Sequence, residues 1–565
     1  MMLVSNNEEQ PQKRTGEWSR GRSMMVSVPI FIILIAVLVS VSSITAVPWN
    51  NEPTGQTIDT LTSDTAITFA NTTGRSLPKQ GDYKVSKSYV TINATRPSTG
   101  EVQRIRVLIR TPVGAAGARP GIVFMHGAGY GTCDNSFGDV ATDLASAGFV
   151  TAVLDKPVWS TNDATRDYPA SAIAYDQVVE YLRSLHNVNA SKIGIYATSE
   201  STWISSYLLQ RDRKIAFQML LSPMVYSPRQ SLGFLAAQDF ALVGANSGYQ
   251  SIVRRVFHAD LAMFGLTNFD IRTLTPEAYS VPTLVVYGSK DVMTAQVEGV
   301  QKILALAHKS GNWNMTIRSY PVANHVLRLG DEAESGTMLA DAYMANLTEW
   351  AVGTADGLKQ TSERVAGATI YQSIAVPLEL KASRPLTVYG LILHVAMVVL
   401  LAVTAICWLV AIARKVWLMM HGRTGALGIA HGFSRALISL TITTLATLLL
   451  FAAGLGQVIM AVVQLGWGGA PEEDPGMMYW SWPVIQIVCT LVVWAWSRVL
   501  AKLLEAASIR GLVQIPPRKG AIRALVSGHE PVLATTRFGR VLFWITTAAM
   551  LHVLLMFAFW GMFIY

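Results

Sequence analysis

Five stretches of this 565-residue chain are apolar and contain no Asp, Glu, Lys or Arg: 25–47, 386–413, 436–465, 479–497 and 541–564. Crossing about 30 Å of hydrocarbon takes roughly 20 helical residues, so each is long enough to span a bilayer. No other feature constrains the chain as strongly, because a segment in lipid must satisfy its own backbone and a helix does so. Charged residues make up 15% of the chain, against about 25% in an average soluble protein, and the mean hydropathy is +0.34. These values exclude a purely soluble chain and a disordered one.

The basic residues say which way the spans run. The net charge of +8 is not pooled into a nucleic-acid surface, because Lys and Arg cluster beside the apolar stretches. Lys13, Arg14, Arg20 and Arg22 precede the first span, and Arg414, Lys415, Arg423 and Arg435 separate the second from the third. Arg498, Lys502, Arg510, Arg518, Lys519, Arg523, Arg537 and Arg540 lie between the fourth and fifth, whereas Glu472, Glu473 and Asp474 occupy a loop without bases. A cytoplasmic N-terminus and five spans place every basic loop inside. The expected organisation is a cytoplasmic tail (1–24), an uncleaved signal anchor (25–47), an extracytoplasmic domain (48–355), a linker (356–385) and a four-helix membrane region (386–565) of a plasma-membrane protein. A cleaved signal peptide is the alternative for the first span, which is longer than the usual apolar core of one. Cys133, Cys407 and Cys489 are too few for a disulfide framework, and no Cys/His spacing suggests zinc.

Between the first two spans, strand and helix patterns alternate. Residues 104–111 alternate basic and apolar, as a half-buried strand does. The short apolar runs 121–125, 150–154, 193–197, 219–221 and 283–287 suit strands covered on both faces. Residues 170–185 carry Ile173, Val178, Tyr181 and Leu182 on one helical stripe. The pattern predicts an α/β domain with a mostly parallel sheet, whose ligands gather beyond the C-terminal strand ends.

One strand runs into Ala197-Thr198-Ser199-Glu200-Ser201 and then a helix over 202–210. A serine in so tight a turn needs small residues two before and two after it. Another strand ends in His126-Gly127-Ala128-Gly129-Tyr130-Gly131, the run 283–287 ends at Gly288-Ser-Lys-Asp291, and a last strand over 313–321 is followed by Val322-Ala-Asn-His325. In these four elements the chain resembles the α/β-hydrolase superfamily, with its nucleophile elbow, oxyanion loop and the order Ser, Asp, His. Both elbow glycines are replaced, by Ala197 and Ser201. The resemblance covers residues 60–355 and implies a catalytic triad of Ser199, Asp291 and His325. It also implies oxyanion donors from the backbone of Glu200 and of Gly127 or Ala128, and neither metal nor organic cofactor. Asp155, at another strand end, is a reserve acid; Cys133 reads as a buried small residue, and the Glu200 side chain either touches substrate at the elbow or, the commoner case, faces solvent.

The expected function is a membrane-anchored serine esterase or lipase acting on an acylated, lipidic substrate through an acyl-enzyme. An acyltransferase with a sugar or lipid hydroxyl as acceptor would use the same triad, and an inactive hydrolase-like subunit of a membrane complex is the non-enzymatic alternative. Residues 223–280 form an insertion rich in Phe, Leu and Met, and in resembling enzymes an insertion here caps the site. His394, His552, Gln457 and Gln486 lie within the apolar stretches, where they either hydrogen-bond to neighbouring helices or line a pathway. The C-terminal spans are expected to dock a membrane-protein partner or present lipid. The basic segment 508–533 suits an anionic leaflet. Sequons at Asn71, Asn93, Asn189, Asn314 and Asn346 all fall outside the spans.

Overall fold

The computed structural model of the protein describes residues 18–49, 53–160, 166–270, 274–330, 336–423, 429, 432–466, 469–509, 511–513, 520, 533–534 and 536–565. Nine strands form one sheet: β1 (Val85–Thr95), β2 (Val102–Pro112), β3 (Arg119–Met125), β4 (Val150–Leu154), β5 (Val188–Thr198), β6 (Phe217–Leu221), β7 (Thr283–Gly288), β8 (Met315–Tyr320) and β9 (Val365–Gly367). Their spatial order is β1-β2-β4-β3-β5-β6-β7-β8-β9. The pairs β1–β2 and β2–β4 are antiparallel, and every later neighbour is parallel. β4, β6, β7 and β8 are buried along their whole length, as strands covered on both faces are, and this takes in Gln218 of β6 and Thr316, Arg318 and Ser319 of β8. In β2 the alternation holds only to Val107, because Leu108 and Arg110 are buried as well.

Helices cover both faces. On one lie α2 (Gly138–Ser146) and α8 (Tyr343–Ala355), which bring Val140, Leu144, Leu347 and Trp350 onto the sheet. On the other lie α3 (Tyr168–Ser184), α4 (Ser201–Arg211) and α7 (Gln296–Lys309). The Asp167 side chain caps α3 by accepting the Ala170 N–H. Val178, Val179 and Leu182 of α3 are fully buried, a contribution of about 1.5–3 kcal/mol for each side chain; Ile173 and Tyr181 of the expected stripe are only half-buried.

Residues 356–385, expected as a linker, largely belong to this unit. Lys359–Gln360 pairs with Phe69–Ala70, β9 forms the sheet edge beside β8, and Ile370–Ile374 pairs antiparallel with Pro53–Ile58. These strands are too short for a period-two pattern to stand out, and the partners of Lys359–Gln360 and Ile370–Ile374 lie some 300 residues away in sequence.

The insertion after β6 contains two helices, α5 (Pro228–Leu242) and α6 (Ser247–Phe257). Five further helices are long and apolar enough to cross a membrane: α1 (Arg20–Ile44), α9 (Arg384–Met420), α10 (Phe433–Gly466), α11 (Met477–Ile509) and α12 (Arg537–Phe559). The end of α1, the start of α9, the end of α10, the start of α11 and the end of α12 all meet the α/β unit. Ser42 O accepts from Arg255, Thr387 Oγ1 from the Asp260 N–H and Met478 O from the Asn246 N–H, while Gly466 lies against Met293 and Gly561 against Arg255. The helices therefore alternate in direction, as the basic loops require. Phe234, Phe240 and Tyr249 of the insertion share one apolar core with Leu437, Phe451, Trp482 and Phe557 of the spans.

Polar side chains within the apolar helices find partners there. His394 Nε2 accepts from Trp560 Nε1 at 2.9 Å, and Gln486 Nε2 donates to Ile564 O at 2.7 Å. Of the sequons, Asn346 is buried and donates to Thr65 and Tyr320, so it is not open to a glycan. Most of the basic segment 508–533 lies outside the described residues.

Candidate active site

The serine turn follows from β5 entering α4 without a loop. Ser199 takes φ +51°, a conformation that non-glycine residues hold only where the surroundings enforce it. Its N–H donates to Leu221 O at 2.9 Å, which anchors the turn to the end of β6. Ser201, the small residue two positions on, is fully buried; its Oγ accepts the Thr198 N–H at 2.8 Å and donates to Met125 O at 2.9 Å. The hydroxyl thus ties the turn to β3, and Ser201 is removed from the cavity that Ser199 lines.

Asp291 lies just beyond β7, and its Oδ1 accepts from His325 Nδ1 at 2.9 Å. The carboxylate also accepts the Met293 N–H at 2.8 Å and the Thr294 hydroxyl at 2.5 Å. Burial pushes its acidity one way, but the His325 charge and these hydrogen bonds win and hold it below the ordinary carboxylate range. The His325 loop sits tightly on the end of β7: a side chain at Gly288 would meet Ala323 O and Asn324 O at 2.3 Å. Ser222, the residue after β6, donates from Oγ to His325 O at 2.7 Å. Because Leu221 beside it holds Ser199, the end of β6 joins histidine and serine. The reserve acid Asp155 instead accepts the Cys133 N–H at 2.8 Å, and burial pushes the Cys133 thiol up to about 12.

A mostly parallel sheet, a strained serine between strand and helix, an acid after β7 and a histidine after β8 define the architecture. The unit has the α/β-hydrolase fold.

Around this α/β-hydrolase elbow the structure corrects one expectation and adds groups that sequence reasoning missed. The Glu200 side chain does not face solvent. It is 5% exposed, and its Oε2 accepts from Lys156 Nζ at 2.7 Å while its Oε1 accepts from Tyr168 at 3.1 Å and lies 3.5 Å from Arg166. Lys156 Nζ also donates to Gly127 O at 2.6 Å and Gly129 O at 3.1 Å. Its three donors thus meet three acceptors. Burial pulls the Lys156 ammonium below the usual lysine range, against the opposing pull of Glu200. Gly129 has φ +86°, which lets the loop fold back over the ammonium. His126 is an anchor for the same loop: Nε2 donates to Leu154 O at 2.5 Å, and burial lowers it to about 4.

Ser199 opens into a cavity of about 400 Å³ walled by Trp203, Met224, Leu232, Leu266 and Phe269, with Ala128 and Glu200 at its base. Four of the five wall residues come from the 223–280 insertion, which therefore caps the site as well as packing on the spans.

No protein-family model and no curated protein matches the sequence. Among solved structures the chain is similar to one described as a dipeptidyl aminopeptidase IV from Bacteroides ovatus, with 14% identity, 48% of this chain and 36% of that chain covered, and a TM-score of 0.34. It is similar also to a dienelactone hydrolase-like promiscuous phosphotriesterase from metagenomic libraries (13% identity, 48% and 99% covered, TM-score 0.31). A third is a cold-adapted esterase from an Arctic intertidal metagenomic library (13% identity, 55% and 100% covered, TM-score 0.29). The first comparison takes in well under two thirds of the other chain. Likeness at this level says nothing of substrate, and the fold rests on strand order and turn geometry.

Proposed function

We propose that the protein is a membrane-anchored serine hydrolase that cleaves an acyl ester, with the α/β unit outside the cytoplasm. The observation that carries this reading is the buried His325–Asp291 hydrogen bond beyond the ends of β7 and β8, on the same sheet edge as a serine at φ +51° after β5. His325 Nε2 takes the Ser199 proton as Oγ attacks the ester carbonyl, and Asp291 keeps Nδ1 protonated and stabilises the imidazolium. The tetrahedral intermediate collapses with loss of the alcohol, which receives the proton from His325. Water then attacks the acyl-enzyme by the same path in reverse.

One oxyanion donor is the Glu200 N–H, directly after the nucleophile. The second is the Ala128 N–H. In a trans peptide the C=O and N–H point to opposite sides, and Lys156 holds the Gly127 carbonyl on its side. The N–H of the same peptide, which belongs to Ala128, is therefore turned the other way, at a residue that lines the cavity.

An apolar cavity favours an apolar acyl chain. Its far wall continues towards the spans: after Leu261–Phe264, where Phe264 is 52% exposed, come the wall residues Leu266 and Phe269. This turn adjoins the start of α9, where Ala259 bridges Ser383, and on this reading a lipid acyl chain would approach Ser199 from that side. The test is fluorophosphonate labelling of membranes followed by p-nitrophenyl esters of rising chain length. Labelling lost in Ser199→Ala, with preference for longer chains, supports the reading; labelling unchanged in that variant defeats it. An acyl acceptor other than water would appear as transfer product in the same assay.

A further inference from the structure

A second cavity, of about 380 Å³, lies where α6 meets the ends of α1, α11 and α12. Its inner wall carries Arg254, Arg255 and Trp482. Arg255 is 4% exposed. Its Nη1 donates to Ser251 O at 3.1 Å and its Nη2 to Ser42 O at 3.2 Å, while Nε has no partner. Among the described residues it forms no ion pair. A buried charge is costly unless paired, and burial, then the neighbouring Arg254 charge, lowers the Arg255 guanidinium to about 10. The positive charge is held in place by main-chain carbonyls and is not neutralised by a described carboxylate.

The mouth has the opposite character. Ala46, Ile564 and Tyr565 are exposed there, at the level where three spans end and where Trp and Tyr gather at a membrane interface. A cationic inner end and an apolar mouth on the bilayer boundary match an amphiphile with an anionic head. A guanidinium takes phosphate through paired N–H donors, and phosphate is the anion that lipids carry at this depth. We propose that this cavity binds the phosphate headgroup of an anionic phospholipid from the leaflet facing the hydrolase unit, and so clamps α6 of the cap to α1 and α11. The proposal rests on the five apolar helices lying in a bilayer, and not on catalysis at Ser199.

The full chain in detergent, titrated with dioleoyl phosphatidylglycerol and followed by native mass spectrometry, tests it. The wild type should hold the lipid, and Arg255→Gln should weaken binding by about tenfold or more, the loss of one charge-assisted contact. Dioleoylglycerol, which has the same tails without phosphate, should not compete. Arg255→Lys, which keeps the charge and loses the fork, should fall between the two and guards against a variant that fails to fold. Equal affinity in wild type and Arg255→Gln, competition by dioleoylglycerol, or displacement by millimolar inorganic phosphate would each overturn the lipid site. Release of the chain from membranes by alkaline carbonate would instead show that the apolar helices do not cross the bilayer, and the lipid site would fall with them.

Discussion

Lys156→Met separates two roles that the proposed mechanism gives one ammonium. In the wild type that group lies 2.7 Å from Glu200 Oε2, 2.6 Å from Gly127 O and 3.1 Å from Gly129 O. Methionine keeps most of the side-chain volume and removes all three contacts. The Glu200 carboxylate would stay buried with Tyr168 and Arg166 alone, and removing one member of a buried pair costs about 3–5 kcal/mol. The Gly127–Ala128 peptide would also be free to turn. Loss of a whole oxyanion donor costs about 10²–10³ in kcat, so loosening one should cost about tenfold to a hundredfold. KM should change little, since the donor acts on charge that develops only in the transition state. Thermal melting and steady-state kinetics on a short-chain p-nitrophenyl ester, with the full chain in detergent, read both effects. Lys156→Met/Glu200→Gln removes the orphaned charge and should recover most of the stability while kcat stays low. A double variant with wild-type kcat would refute the positioning role and leave Lys156 as a counter-ion only.

Asp291→Asn should lower kcat by about 10⁴ with the fold intact, because the amide no longer fixes the His325 tautomer; a near-normal rate, with Asp155→Asn inactive, would move the acid to β4. Asp239 on α5 is 1% exposed, and its Oδ1 has no partner. Burial and then the Asp291 charge push it up to about 8. The native state therefore keeps a proton that the unfolded chain releases near pH 4, and stability should fall as pH rises through that window, by up to about 1.4 kcal/mol per pH unit. Asp239→Asn should flatten the decline in melting temperature between pH 5 and pH 8, and an unchanged slope would show that Asp239 is ionised throughout. A cysteine at Glu472 should react with an impermeant maleimide applied to intact cells and one at Arg423 should not; the reverse pattern would invert the membrane orientation.

Much of the candidate site's geometry is legible in the sequence, for a local reason. Ser199, Asp291 and His325 each follow a short apolar run, and strand ends are where a parallel sheet exposes side chains to ligand. The elbow is readable without its usual glycines because Ala197 and Ser201 are small. The groups that hold the site in shape are harder to see. Lys156 immediately follows a strand and an aspartate, a position that marks it as facing the same edge, but its three acceptors come from Gly127, Gly129 and Glu200 on two other segments. Glu200 reads as a surface residue because nothing adjacent in sequence compensates its charge. Ser222 and Thr294 act through single hydroxyl contacts that no spacing announces.

Composition and pattern by themselves determined the five apolar helices, their alternating direction, the α/β character of the unit between the first two and the order of its site residues. Each of these depends on a periodicity or a charge imbalance confined to a few consecutive residues. Tertiary structure alone decided which element each face meets. It carried β9 into the sheet and paired Ile370–Ile374 with Pro53–Ile58 beside it, and it made the insertion both the lid of the Ser199 cavity and the seat of the apolar helices. It also buried Lys156 against Glu200 and Arg255 beside Ser42. The physical reason is that burial and charge pairing depend on distance in space, and these partners lie between 44 and 321 residues apart along the chain.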